Sequence, residues 1–73
     1  MISVKLRTAM AAYRRRTGKR LTYKVISEKT GISLATLQSL GARPGYNTRL
    51  STIDKLCGLL KCDVCDLLER KDR

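Results

Sequence analysis

The side chains able to do chemistry in this sequence are three cysteines, six carboxylates and sixteen lysines and arginines, with no histidine. Without His, neither a Ser–His nor a Cys–His nucleophile pair can be assembled. Four of the six carboxylates, Asp63, Asp66, Glu69 and Asp72, fall among the last eleven residues, where they suit helix ends better than a paired acid–base site. An enzyme is not expected. Cys57, Cys62 and Cys65 stand at the spacing C-x4-C-x2-C. A structural zinc ion takes four ligands, so the fourth would have to be a carboxylate such as Asp66 or a solvent molecule. The simpler expectation is reduced thiols packed as small apolar residues, with no metal and no cofactor. Their odd number also argues against a disulfide framework.

The cationic side chains are the more informative set. Residues 1–50 hold eleven basic side chains and one acidic one, Glu28, whereas residues 51–73 hold five of each sign. The whole net charge of +10 therefore sits in one section of the chain. Generic solubility charge would scatter both signs, and this asymmetry is the footprint of a polyanionic partner.

Positioning these groups falls to short helices. At 73 residues the chain has room for one small domain, spanning 1–73, and its core must be compact. Apolar residues make up 42% of it, with no Phe or Trp, so Leu, Ile and Val fill a helical core. Leu6, Ala9, Met10 and Tyr13 recur at helical spacing, predicting a first helix over about 4–16. Thr22 and Ser33 are N-cap residues flanked by hydrophobic-staple pairs, Leu21 with Ile26 and Ile32 with Leu37. They predict two helices, within 22–30 and 34–40, stopped by Gly31 and Gly41. Residues 41–50, with Pro44 and two Gly, read as a loop. Ser51 then caps a helix over about 52–61, with Ile53, Leu56, Cys57 and Leu60 on its face, and Asp63 caps a last one over about 64–70. Residues 70–73 are expected to fray. No strand alternation is visible, so the expected fold is all-α with five helices. The longest apolar run, Ala9 to Tyr13, is far short of the ~20 residues that span a bilayer, and no secretory signal is recognisable.

Residues 23–40, two short helices about Gly31-Ile32-Ser33, form a helix-turn-helix pattern. Gly31 permits the tight turn, and Ile26, Ile32, Leu37 and Leu40 lock the pair at a steep angle. The third helix is left proud of the surface. A major groove ~12 Å wide admits one such helix.

The block LTYKVISEKTGISLATLQSL, the first-helix Leu6 and the closing LSTIDKLCGLLKCDVCDLL together resemble the phage-repressor-type helix-turn-helix domains, those of the lambda repressor, Cro and Xre-like regulators. The resemblance covers about residues 4–69 and points to small stand-alone bacterial regulators. It implies a compact lambda-repressor-like fold, duplex-DNA binding with the third helix in the major groove, a cytoplasmic location, a homodimer, and most often repression. The chain departs from the family pattern in having Tyr23 where Gln is frequent, Ser27 in place of a small Ala, and Gly41-Ala42-Arg43-Pro44-Gly45 after the third helix.

Carried over residue by residue, base reading falls to Ser33, Leu34, Ala35, Thr36, Gln38 and Ser39. Gln38 alone has an amide able to pair with adenine, and Leu34 and Ala35 suit thymine methyls. No Arg on this helix can grip guanine. Phosphate contacts fall to Lys24 and Lys29 on the second helix and Arg43 and Arg49 in the loop, with Tyr23, Tyr46, Asn47 and Thr48 as neutral donors. Arg14, Arg15, Arg16, Lys19 and Arg20, around the first turn, suit phosphates or simply a solvated surface. Tyr13 belongs to the apolar face. Three other functions fit the same residues: an antitoxin or adaptor that binds a partner protein, a thiol or metal sensor, and RNA binding. The last lacks exposed stacking aromatics beyond the tyrosines.

Overall fold

A computed structural model of the chain describes residues 2–43 and 45–70. In chain order it contains β1 (Ile2–Val4), α1 (Leu6–Thr17), α2 (Tyr23–Thr30), α3 (Leu34–Ala42), α4 (Leu50–Leu60), α5 (Val64–Leu67) and β2 (Leu68–Arg70). The five expected helices are present, packed around one core. Leu6 and Ala9 of α1, Ile26 of α2, Ile32 of the turn, Leu37 and Leu40 of α3, Ile53, Leu56 and Leu60 of α4, and Leu67 of α5 are all buried in it. Met10, Tyr13 and Leu21 pack against its edge.

The ends of the chain depart from the all-helical expectation. The first helix begins at Leu6 rather than near residue 4, and the last stops at Leu67 rather than 70. The residues so released form an antiparallel pair, Ile2 opposite Arg70, Ser3 opposite Glu69 and Val4 opposite Leu68. The Lys5 amide donates to the Leu67 carbonyl at 2.7 Å, closing the pair. Val4 is buried by it and Ile2 is left outside. Three residues per strand are too few for alternation to be read, and the pairing exists only because tertiary structure brings the ends together. Arg70, expected to fray, is a strand residue; Lys71–Arg73 lie outside the described residues.

Two further boundaries move. Residues 41 and 42, expected in the loop, complete the last turn of α3. The fourth helix starts at Leu50, with Arg49 rather than Ser51 in the N-cap position. Pro44 lies outside the described residues. At its far end α4 closes on Lys61, which has positive φ (52°), and the amides of Lys61 and Cys62 both donate to the Cys57 carbonyl. The Arg16 guanidinium reaches across from α1 to donate to the Leu60 carbonyl at 2.7 Å. This side chain thus ties α1 to the end of α4, a structural role that its sequence context did not disclose.

Candidate nucleic-acid interface

The turn between α2 and α3 is built by side chains that bond the local backbone. Thr22 caps α2, accepting from the Val25 amide at 3.2 Å. Gly31 takes φ 77°, a conformation that costs a residue with Cβ ~1–2 kcal/mol. Around it, the Ser27 hydroxyl donates to the Ile32 carbonyl at 2.6 Å, and Thr30 Oγ1 donates to the Ile26 carbonyl while accepting from the Ile32 amide. Ser33 caps α3, accepting from the Thr36 amide at 3.1 Å, and its hydroxyl also lies 2.8 Å from that of Thr36. Both the polar and the apolar side chains of the turn are thus engaged, the former in these hydrogen bonds and Ile26, Ile32 and Leu37 in the core.

Of the six residues carried over for base reading, Leu34, Ala35 and Gln38 are exposed on α3, and Leu34 keeps 43% of its surface open. Ser33 is exposed but engaged as the cap; Thr36 and Ser39 are half-buried. Lys24 and Lys29 are exposed on α2. Arg43, just past α3, lays its guanidinium over the Tyr46 ring, 5.1 Å from the centroid, and approaches the Ser39 hydroxyl at 3.4 Å. Tyr23 is half-buried. Its hydroxyl abuts Gly41 so closely that a Cβ there would collide with it. Gly41 is therefore not the helix stop its type suggests: it lies inside α3, and its lack of a side chain lets α2 close on α3 through Tyr23.

The start of α3, the loop and the start of α4 converge on a polar groove of about 350 Å³. Ser33 and Thr36 line it from α3, and Tyr46, Asn47, Thr48 and Arg49 from the loop. Ser51, Thr52 and Lys55 complete it from α4. None of these last three was foreseen as a binding residue. Their signal lay in the wrong place for sequence reading, because shifting the helix start from 52 to 50 brings the first turn of α4 to the groove. The Arg49 side chain makes no capping hydrogen bond. The Thr52 and Ile53 amides both donate to the Arg49 carbonyl, at 3.1 and 3.3 Å. The Leu50 and Ser51 amides precede any intrahelical acceptor, and a guanidinium has no lone pair with which to cap them, so the positive end of α4 faces the groove.

The stretch of chain that builds this turn, exposed helix and polar groove also carries a match to a known family. A family model for the Cro/C1-type HTH DNA-binding domain matches residues 5–73. The chain belongs to this family. No curated protein and no solved structure matches it at a significant level. The Cro/C1-type domain accounts for the five helices and makes DNA the partner that the basic section of the chain implied. It is a regulatory, DNA-binding family and not an enzyme class. Among the described residues, no helix is long and apolar enough to cross a membrane.

The cysteines belong to α4, the residues after it and α5, outside the helix-turn-helix segment. Cys57 and Cys62 are half-buried against the core, and Cys65 is exposed on α5. Burial pushes the Cys62 thiol up, helped by the neighbouring Cys57 and the Asp66 carboxylate and opposed by Arg16. The described side chains that gather closely enough to share an ion are Asp63, Cys65 and Asp66, all exposed. That set differs from the three cysteines singled out by spacing. Asp66 already accepts from the Asp63 amide at 3.1 Å, as the second half of a helix cap, so helix capping accounts for the acidic pair.

Proposed function

We propose that this Cro/C1-type domain is a transcriptional repressor that binds duplex DNA as a cytoplasmic homodimer, with α3 in the major groove and one backbone phosphate seated in the polar groove of each chain. The observation that carries the reading is the start of α4, where an N-cap residue with no acceptor on its side chain leaves the first amides uncapped beside a groove lined by Arg49 and Lys55. A phosphate oxygen there would take the place of the missing cap, accept from helix amides and meet the positive end of the helix dipole. Asn47, Thr48 and Tyr46 supply neutral donors beside it. Lys24, Lys29 and Arg43 extend the cationic rim to neighbouring phosphates, and Tyr23 acts chiefly by holding α2 against α3.

Base reading falls to the exposed surface of α3, with Ser33, Leu34, Ala35, Thr36, Gln38 and Ser39 as its residues. Gln38 is suited to adenine, Leu34 and Ala35 to thymine methyls. One bidentate contact is worth ~1–3 kcal/mol, against the ~4–10 kcal/mol that usually separates specific from non-specific sites. A second subunit and sequence-dependent DNA shape supply the rest. The preferred site is therefore A/T-leaning and imperfectly palindromic.

The test is selection from random duplexes followed by salt titration of the winner. Each phosphate neutralised contributes a log–log slope of about −0.9. Between 50 and 200 mM salt this amounts to roughly 3.5-fold in affinity per phosphate, or ~12-fold for one phosphate in each of two chains. Replacing Arg49 and Lys55 together by Ala should remove that much of the salt dependence and weaken all sequences alike. Gln38→Ala should relax preference at one base pair per half-site while sparing non-specific binding. A slope near zero in the wild-type chain, or selection of G-rich sites, would overturn the reading.

A further inference from the structure

We propose that the chain pairs with a second copy of itself across the apolar groove between β1, β2 and the start of α4, each copy lodging its Leu50 in the groove of the other. This deepens the DNA-binding reading by naming the dimer interface, and it rests on that reading for its purpose, although the contact itself needs no DNA.

The patch has three properties that single out its occupant. First, it holds both a protrusion and a depression. Leu50 stands 83% exposed at the first position of α4, outside the core, with Ile2 beside it at 54%. Together with Val4, Tyr46, Ile53 and Leu68 they line a groove of about 380 Å³. A two-fold contact needs complementary features within one patch, since each residue meets the partner's counterpart of what it met from the other side. A knob beside its own hole satisfies that requirement.

Second, no described residue lining the groove carries a charge, although 30% of the chain is charged and the net charge is +10. Two such chains repel through their basic faces. They approach at least cost where both present neutral surface, with like charges held apart toward the screening length of ~10 Å. An acidic partner protein would be drawn to the basic section instead.

Third, the loop residues Tyr46, Asn47 and Thr48 line this groove on one side and the polar groove at the start of α3 on the other. A copy seated on the patch brings its own loop to the two-fold axis. The two polar grooves, and the two reading helices beside them, then lie on adjacent flanks of that axis, where one duplex can meet both.

The experiment is sedimentation velocity on the purified chain over a range of concentrations, alone and with a duplex selected as above, for wild type, Leu50→Ser and Ile2→Thr. Both substitutions are neutral and leave the charge facing DNA unchanged. Serine suits a helix start, threonine suits a strand, and circular dichroism confirms that each variant keeps its helix content. Wild type should form dimers and load two chains on each selected duplex. Two copies of each altered side chain leave the interface together, so self-association should weaken roughly a hundredfold for Leu50→Ser, and less for Ile2→Thr. Binding to unselected duplex at low salt should be unchanged in both. A wild-type chain that stays monomeric and binds one per duplex overturns the interface and leaves DNA binding standing. A chain that dimerises through Leu50 yet ignores duplex DNA overturns the DNA reading and leaves the interface standing. Dimers that persist unchanged in both variants refute the proposal outright.

Discussion

Gly41→Ala puts the closure of α2 on α3 to a quantitative test. Gly41 lies inside α3, where replacing Gly by Ala ordinarily stabilises by ~1 kcal/mol through helix propensity. Here the new Cβ would overlap the Tyr23 hydroxyl and come within 3.1 Å of the ring carbon that bears it. Overpacking of this kind typically costs ~1–3 kcal/mol. The net expectation is a loss of up to about 2 kcal/mol, opposite in sign to propensity alone. Tyr23→Phe removes the colliding oxygen, so in that background Gly41→Ala should be neutral or stabilising by up to ~1 kcal/mol. The measurement is a double-mutant cycle by urea unfolding followed by circular dichroism, with unchanged m-values required. A coupling of about 1–2 kcal/mol is expected; additivity within ~0.5 kcal/mol would refute the contact and return Tyr23 to the surface.

Three further outcomes are expected. Leu37→Ala, at a fully buried site, should cost ~2–5 kcal/mol, a large share of the stability of so small a chain, and an unchanged melting temperature would contradict the placement of α3. Ser33→Ala removes the cap that Thr36 donates to and should cost ~1 kcal/mol by thermal melting, whereas exposed Ala35→Ser should move stability little. Cys62 keeps its proton beyond the ordinary thiol range, so at neutral pH iodoacetamide should label it more slowly than exposed Cys65, as read by peptide mass spectrometry. Because the unfolded chain releases that proton first, stability should fall as pH rises through and above the ordinary thiol range.

What the sequence disclosed was whatever short-range chemistry decides. Thr22 and Ser33 were legible as caps because a cap is made with an amide three residues on, and Ile26, Leu37, Leu56 and Leu60 were legible as core because helical spacing puts them on one side. Ser51 had equal credentials as a cap, yet α4 starts earlier, at Leu50, with Arg49 in the N-cap position. Gly41 and Tyr23 each carried a plausible local meaning that a contact between two helices replaced. Arg16 looked like one of three equivalent surface charges until α4 offered it a carbonyl. The proposed base-reading surface came from the family pattern, and the exposure of Leu34, Ala35 and Gln38 from the fold. Ser51, Thr52 and Lys55 in the polar groove came from neither, because their relevance depends on where a helix begins.

The β1–β2 pair sets an order of events during synthesis. Its two strands lie more than sixty residues apart, β1 at Ile2–Val4 and β2 at Leu68–Arg70, so Ile2–Val4 leave the ribosome well before the strand that pairs with them. Until Leu68–Arg70 are made, Val4 has no strand to lie against, while α1 to α4 can already collapse on Leu6, Ile26, Leu37 and Leu56. The small sheet is therefore a late latch on a nascent chain, and a polypeptide cut short before residue 68 would keep the residues of α3 but leave β1 unfastened.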